Sequence, residues 1–252
     1  MPSVRHQGRT IHYRERGSGP LLLVLHGNTA SSALHEGELA HFCARFRVVA
    51  PDLPGVGGSD RMDVWPLDWW QEGARAAAAL AEHLGASRCG VVGTSGGAVA
   101  ALWMAILRPD LVAAVVADSV VGRHRPDALR ANVASRDVSD PGAQGFWRAA
   151  HGDDWEQVVR ADSDLLLRFA EAGADWFQGR LAEIAAPVLF TVSLADEMLP
   201  DVASETCRMV REVRSLRAFV VGEGAHPLMW SRPEVFREAA DAFLERHYAP
   251  EP

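Results

Sequence analysis

The chain has 252 residues, 48% of them apolar and 23% charged, which suits one large globular α/β domain with a well-buried core. A formal charge of −8 with no basic tract argues against nucleic acid as a partner, because phosphate backbones are met by clustered positive charge. Lysine is absent and all 25 basic residues are arginine, which excludes a Walker-type phosphate loop, a Schiff-base lysine and a Ser–Lys catalytic pair together.

In chain order, Met1-Pro2-Ser3-Val4-Arg5-His6 lacks the apolar core of a signal peptide. No later run of about 18 apolar residues would span a membrane, so a cytoplasmic location without membrane attachment is expected. Thr10 to Arg16 alternates as an edge hairpin strand and ends in the turn Gly17-Ser18-Gly19-Pro20. Strands and helices then alternate: strand near 21–26, helix near 32–44, strand near 47–50, helix near 68–84, strand near 89–93, helix near 97–107 and strand near 111–118. That rhythm predicts a mostly parallel sheet with right-handed crossovers and helices on both faces. From about Gly122 to Ala182 the strand rhythm stops in a helix-forming stretch that carries Trp147, Trp155 and Trp176. A structureless loop of that length is improbable inside a compact domain, so a helical cap over the carboxyl edge of the sheet is expected. The pattern resumes with strands at 187–192 and 216–221 and closes with a helix near 233–247. The division is therefore a core of residues 1–121 and 183–252 with a cap at 122–182.

The pentapeptide Gly93-Thr94-Ser95-Gly96-Gly97 fits G-x-S-x-G between an apolar, β-branched strand and a buried helix. A serine at such a corner is forced onto a tight bend that presents its hydroxyl above the sheet. Its neutral hydroxyl needs an imidazole to take the proton, and the imidazole needs a carboxylate to fix its tautomer. His226 lies in the loop after the strand at 216–221, and Asp196 in the loop after the strand at 187–192. Asp118, at the end of the strand near 111–118, is the rival acid and a candidate to contact substrate, and Glu197 is a weaker rival. The oxyanion that develops during acyl transfer requires two main-chain N–H donors. Gly96 supplies one; Asn28, after His26-Gly27, supplies the other, with Thr29 as the alternative. The Asn28 side chain could also cap a helix beginning near Ser31. His26 reads as a structural residue that holds this loop by hydrogen bonds.

These motifs together resemble the serine α/β-hydrolase family, nearly end to end. Leu21 to Asn28 looks like the family's strand and His-Gly oxyanion turn, and Pro51 to Asp60 like its next loop. Arg108-Pro109-Asp110-Leu111-Val112 looks like the linker after the nucleophile helix, and the order Ser95, Asp196, His226 is the family's order. The cap around Asp137-Val138-Ser139, with Trp176, is most similar to valacyclovir-hydrolase-like esterases. Those enzymes place an acid directly after the nucleophile to hold an α-amino group; Gly96 occupies that position here.

The resemblance implies hydrolysis of a small carboxylic ester, lactone or activated amide through an acyl-serine. A C–C bond hydrolase, a cofactor-free perhydrolase and a slow-turnover ligand receptor use the same framework. A serine at position 95 argues against the dehalogenases and epoxide hydrolases of this fold, whose nucleophile is aspartate. Trp147 is expected to point into the substrate pocket, with Trp176 beside it. No cofactor is expected, nor a metal, since none of the ten histidines has close ligand spacing. The partner implied is a small-molecule substrate, acting on a monomer or homodimer. Cys43, Cys89 and Cys207 form no C-x-x-C pair and read as small buried hydrophobes in a reducing compartment.

Overall fold

A computed structural model describes residues 2–248. The chain opens with a hairpin, β1 (Ser3–His6) and β2 (Arg9–Arg16), paired antiparallel across Gln7 and Gly8. Both turn residues have positive φ, 48° and 80°, the conformation whose twist matches the flanking strands. The alternating segment then follows: β3 (Leu21–Leu25), α1 (Glu36–Phe42), β4 (Arg47–Pro51), α2 (Trp69–His83), β5 (Cys89–Thr94), α3 (Gly96–Leu107) and β6 (Val112–Asp118). Where the sequence predicts one helix near 32–44, a single 3-10 turn, Ser32–Leu34, precedes the shorter α1. Ser31 starts that turn by accepting the Ala33 N–H, and the Asp52 carboxylate takes the Ser32 N–H at 2.8 Å.

Three helices interrupt the rhythm after β6: α4 (Pro126–Ala134), α5 (Pro141–His151) and α6 (Trp155–Glu171). The chain then returns through β7 (Val188–Ser193), α7 (Val202–Glu212), β8 (Leu216–Val221), α8 (Leu228–Ser231) and α9 (Pro233–Tyr248). The eight strands lie in the order β1-β2-β4-β3-β5-β6-β7-β8 and run parallel from β4 to β8.

Each central strand is buried on both faces, so side-chain alternation divides the core into two layers. Leu21, Leu23, Leu25 and Val91 pack with α2 and α3; Leu22, Val24 and Val92 pack with α1 and α9. Among the described residues no helix is long and apolar enough to cross a membrane. The cysteine expectation holds for Cys89 alone: Cys43 is half-buried and Cys207 exposed, because each sits on the outer side of an amphipathic helix or its end.

Phe236 is fully buried in the second layer, where α9 packs on β6 and β7. Phe236→Ala is expected to cost about 3–5 kcal/mol in urea unfolding, the usual range for emptying an aromatic site. Activity at a temperature where the variant stays folded should be unaltered.

Candidate active site

Ser95 sits between β5 and α3 with φ 52° and ψ −122°, a left-handed conformation that costs a non-glycine residue about 1–3 kcal/mol. Its neighbours enforce that bend. A Cβ on Gly97 would run into the carbonyls of Leu25 and His26, and one on Gly93 into the Gly97 carbonyl. The Ser95 N–H donates to the Asp118 carbonyl at 2.8 Å, which fixes the corner to the end of β6.

Ser95 Oγ lies 2.9 Å from His226 Nε2, and His226 Nδ1 lies 2.8 Å from Asp196 Oδ2 and 3.1 Å from Oδ1. An ionised carboxylate only accepts, so Nδ1 carries the ring proton and Nε2 is free to accept from the serine hydroxyl. The Asp196 side chain is fully buried, and Oδ1 also accepts the Met198 N–H at 3.0 Å. Glu197 takes the His226 main-chain N–H at 3.1 Å and makes no hydrogen bond to the ring. It therefore supports the loop, away from the acid's position.

Asp118 does not fit the rival role, nor that of a substrate contact. It is fully buried below the site, where it accepts from the Thr191 hydroxyl at 2.7 Å, the Thr94 hydroxyl at 2.9 Å and the Met229 N–H at 3.1 Å. Those bonds tie β5, β6, β7 and α8 together and leave the carboxylate no access to a ligand. Burial pushes its pKa up to about 6, against the pull of the three donors.

Gly96 is the first residue of α3, so its N–H has no intrahelical acceptor. The Asn28 N–H is likewise without a partner among the described residues, and it lies 3.2 Å from where a Gly96 Cβ would stand. The two N–H groups therefore border one spot beside Ser95. Asn28 does not cap the following turn, since Ser31 does that; its carboxamide is held by Trp70 and Asp162 instead. The amide oxygen fills the space above Gly96, where any Cβ would clash with it. This accounts for glycine at position 96. His26 donates from Nδ1 to the Gly27 carbonyl at 2.9 Å and accepts the Leu53 N–H on Nε2 at 3.0 Å. Both ring nitrogens are thus occupied in the neutral form, and burial lowers its pKa to about 4.

Above these groups lies a cavity that opens to solvent. Its walls are apolar, from Val99, Val120, Leu129, Leu166, Trp176 and Met198, with Arg136, Asn132 and His124 among the polar groups that reach it. Trp176 lines this cavity, stacked on Phe169 at 4.2 Å with its carbonyl held by Trp103 Nε1 at 2.9 Å. Trp147 does not reach the cavity. It stacks on Trp155 at 5.2 Å beside Val159, because the apolar face of α5 turns toward α6. Sequence reasoning missed Leu166 and Arg136. The signal for Leu166 was the buried stripe Val158, Asp162, Leu165, Leu166, Phe169 of α6. Among the described residues no group of three or more His, Cys, Asp or Glu side chains could hold a metal ion.

A family model described as alpha/beta hydrolase fold matches residues 20–183. Lipase LipV of Mycobacterium tuberculosis is 33% identical over 223 residues, covering 83% of this chain and 81% of that protein. The 2-(acetamidomethylene)succinate hydrolase of Mesorhizobium japonicum is 36% identical over 217 residues, 84% of this chain and 68% of that protein. A crystal structure of E-2-(acetamidomethylene)succinate hydrolase superposes with a TM-score of 0.76 at 25% identity, over 97% of this chain and 98% of that one. The chain belongs to the α/β-hydrolase family of hydrolytic enzymes. These relatives support the family as a whole and give no specific support to a valacyclovir-hydrolase-like branch.

The buried titrating groups make opposite contributions to stability. His26, with its pKa at about 4 in the fold and 6.5 when free, takes its proton first in the unfolded chain, so stability falls as pH drops from 6.5 to 4. His151, also lowered by burial, acts in the same sense. Asp118, raised from 3.8 to about 6, takes its proton first in the folded chain and opposes that loss over much of the same window. Asp118→Asn is therefore expected to lose stability more steeply than wild type between pH 6.5 and 4, by up to about 1.4 kcal/mol per pH unit. Urea unfolding at a series of pH values measures this, and parallel curves for the two proteins would refute it.

Proposed function

We propose that this enzyme hydrolyses small carboxylic esters with an apolar acyl or alcohol group, through an acyl-serine intermediate on Ser95. The observation that carries this reading is the unbroken hydrogen-bonded chain Asp196–His226–Ser95 opening into an apolar cavity. A family match and relatives named as a lipase and a hydrolase support the same reading.

In this mechanism His226 Nε2 takes the Ser95 proton as Oγ attacks the ester carbonyl, while buried Asp196 stabilises the imidazolium. The carbonyl oxygen becomes an oxyanion and receives the Asn28 and Gly96 N–H groups. Collapse breaks the ester C–O bond, and His226 returns the proton to the leaving alcohol. Water then attacks the acyl-serine, with His226 again the base, and the acid product leaves with Ser95 restored. The inserted helices serve as the cap: the reacting groups treat all ester carbonyls alike, so Leu129, Leu166 and Trp176 set which chains fit.

Ser95→Ala should retain the wild-type fold by circular dichroism and lower kcat on p-nitrophenyl butyrate by about 10⁴-fold or more. Wild-type turnover in that variant would sink the reading. Asp196→Asn should lose about 10⁴-fold in kcat, as tautomer control is lost, and Asp118→Asn far less; the reverse ranking would reassign the acid.

Leu166→Ala should shift relative kcat/KM toward longer acyl chains, each methylene accommodated being worth about 1–3 kcal/mol. Trp147→Ala should lower the melting temperature and leave the selectivity profile as it was. A selectivity change in Trp147→Ala with none in Leu166→Ala would place the pocket elsewhere.

A further inference from the structure

The loop that carries Asn28 is held from above by the inserted helices at three points. Asn28 Nδ2 donates to Asp162 Oδ1 on α6. His151 Nε2, at the end of α5, donates to the Thr29 carbonyl at 3.0 Å, and Ser31 Oγ donates to the Ala150 carbonyl at 2.7 Å. Each of these groups is oriented by a second partner. His151 Nδ1 accepts the Gly57 N–H at 3.2 Å, which leaves the ring proton on Nε2. Trp70 Nε1 donates to Asn28 Oδ1 at 3.3 Å and so sets which end of the amide faces Asp162. Asp162 is fully buried, and its Oδ2 accepts Arg136 Nη2 at 2.7 Å.

The loop needs such support. Thr29 has φ 56°, a left-handed conformation that a β-branched residue adopts only when its surroundings hold it there. Asn28, whose main-chain N–H borders Ser95, immediately precedes it.

We propose that the inserted helices assemble the oxyanion site: Asp162 and His151 are positioning residues that hold the Gly27–Ala30 stretch of backbone, through the Asn28 side chain and the Thr29 carbonyl, in its working conformation, and Arg136 supplies the counter-charge that makes a buried carboxylate tolerable there. The catalytic consequence rests on the serine-hydrolase reading above. The charge balance matters because a carboxylate one side chain away from a developing oxyanion would repel it in a low-dielectric site, whereas the Asp162–Arg136 pair is neutral as a unit. The inserted helices then contribute to rate as well as to substrate choice.

Four variants test this: Asp162→Ala, Asp162→Asn, Arg136→Met and the double variant Arg136→Met with Asp162→Asn. Hydrogen–deuterium exchange over residues 27–31 reads the loop directly. Steady-state kinetics separates kcat from KM. Inhibition is compared between an alkyl trifluoromethyl ketone, which forms an oxyanion on Ser95, and the alcohol of the same length, which does not. Asp162→Ala should exchange faster over 27–31 and lose about 10²-fold in kcat, the scale of a misplaced catalytic group, with KM changed less than about threefold. Its affinity for the trifluoromethyl ketone should fall in proportion to kcat/KM while alcohol binding holds. Asp162→Asn, which keeps an acceptor for Asn28, should recover part of the loss. The double variant should exceed Arg136→Met alone, because it removes the unpaired charge.

Unchanged exchange over 27–31 in Asp162→Ala would overturn the proposal, as would a kcat loss with undiminished trifluoromethyl ketone affinity. If Asp162→Ala does not fold, Asp162→Asn and His151→Gln carry the same measurements. A wild-type protein inert toward esters would remove the hydrolase reading and the catalytic role together, while the exchange data would still decide whether Asp162 holds the loop.

Discussion

The site depends first on how closely three stretches of backbone approach one another around Ser95. The end of β3, the end of β5 and the first turn of α3 meet with no room for a Cβ at Gly93 or Gly97. That contact does two things at once. It forces Ser95 into its left-handed bend above the sheet, and it brings the loop after β3 alongside the N-terminus of α3, so that the Asn28 and Gly96 N–H groups face one spot. In the proposed mechanism, nucleophile and oxyanion donors are thus consequences of one packing constraint. A larger residue at either glycine would disturb both together.

Buried charge is the second theme, and it decides which of several similar residues does what. Asp118 and Asp196 lie at or just beyond the carboxyl ends of adjacent parallel strands, β6 and β7. Two hydroxyls and an N–H occupy Asp118, and it becomes part of the frame. Asp196 has one N–H and an imidazole, and the imidazole is the partner through which a carboxylate can act on a serine. His26 and His151 illustrate the same rule for bases. Each has one ring nitrogen accepting a main-chain N–H and the other donating to a carbonyl, so neither is free to accept a proton from a ligand.

This explains what could be read from the amino-acid order and what could not. The strand–turn–helix corner at Ser95 and the loops carrying Asp196 and His226 were legible because each follows an apolar β-branched run, and strand ends in a parallel sheet converge on one edge. The choice of Asp196 over Asp118 followed from loop position, but its physical reason, the hydroxyls of Thr94 and Thr191, lies on neighbouring strands that only the fold brings together. Trp147 misled because aromatic character in a polar stretch suits a pocket wall and a packed helix interface equally well. Its contacts depend on which way α5 turns, and the sequence of α5 alone does not fix that. Asp162 carried a readable signal that went unused: an acid inside the apolar stripe of α6 requires a buried partner.

That stripe also places two tasks on one helix. Leu166 lines the cavity, and Asp162, one helical turn earlier on the same face, contacts the Asn28 side chain. A shift of α6 that widens the cavity at Leu166 must therefore move the Asp162 carboxylate relative to Asn28 as well. In the proposed mechanism, substrate selection and oxyanion geometry are mechanically joined through α6. A larger substrate that fits by displacing α6 would bind at some expense to the oxyanion site, and its penalty would fall on kcat more than on KM. Selectivity in such a site arises partly from how well a bound substrate lets the inserted helices settle onto the loop below them, and only partly from the volume left between apolar walls.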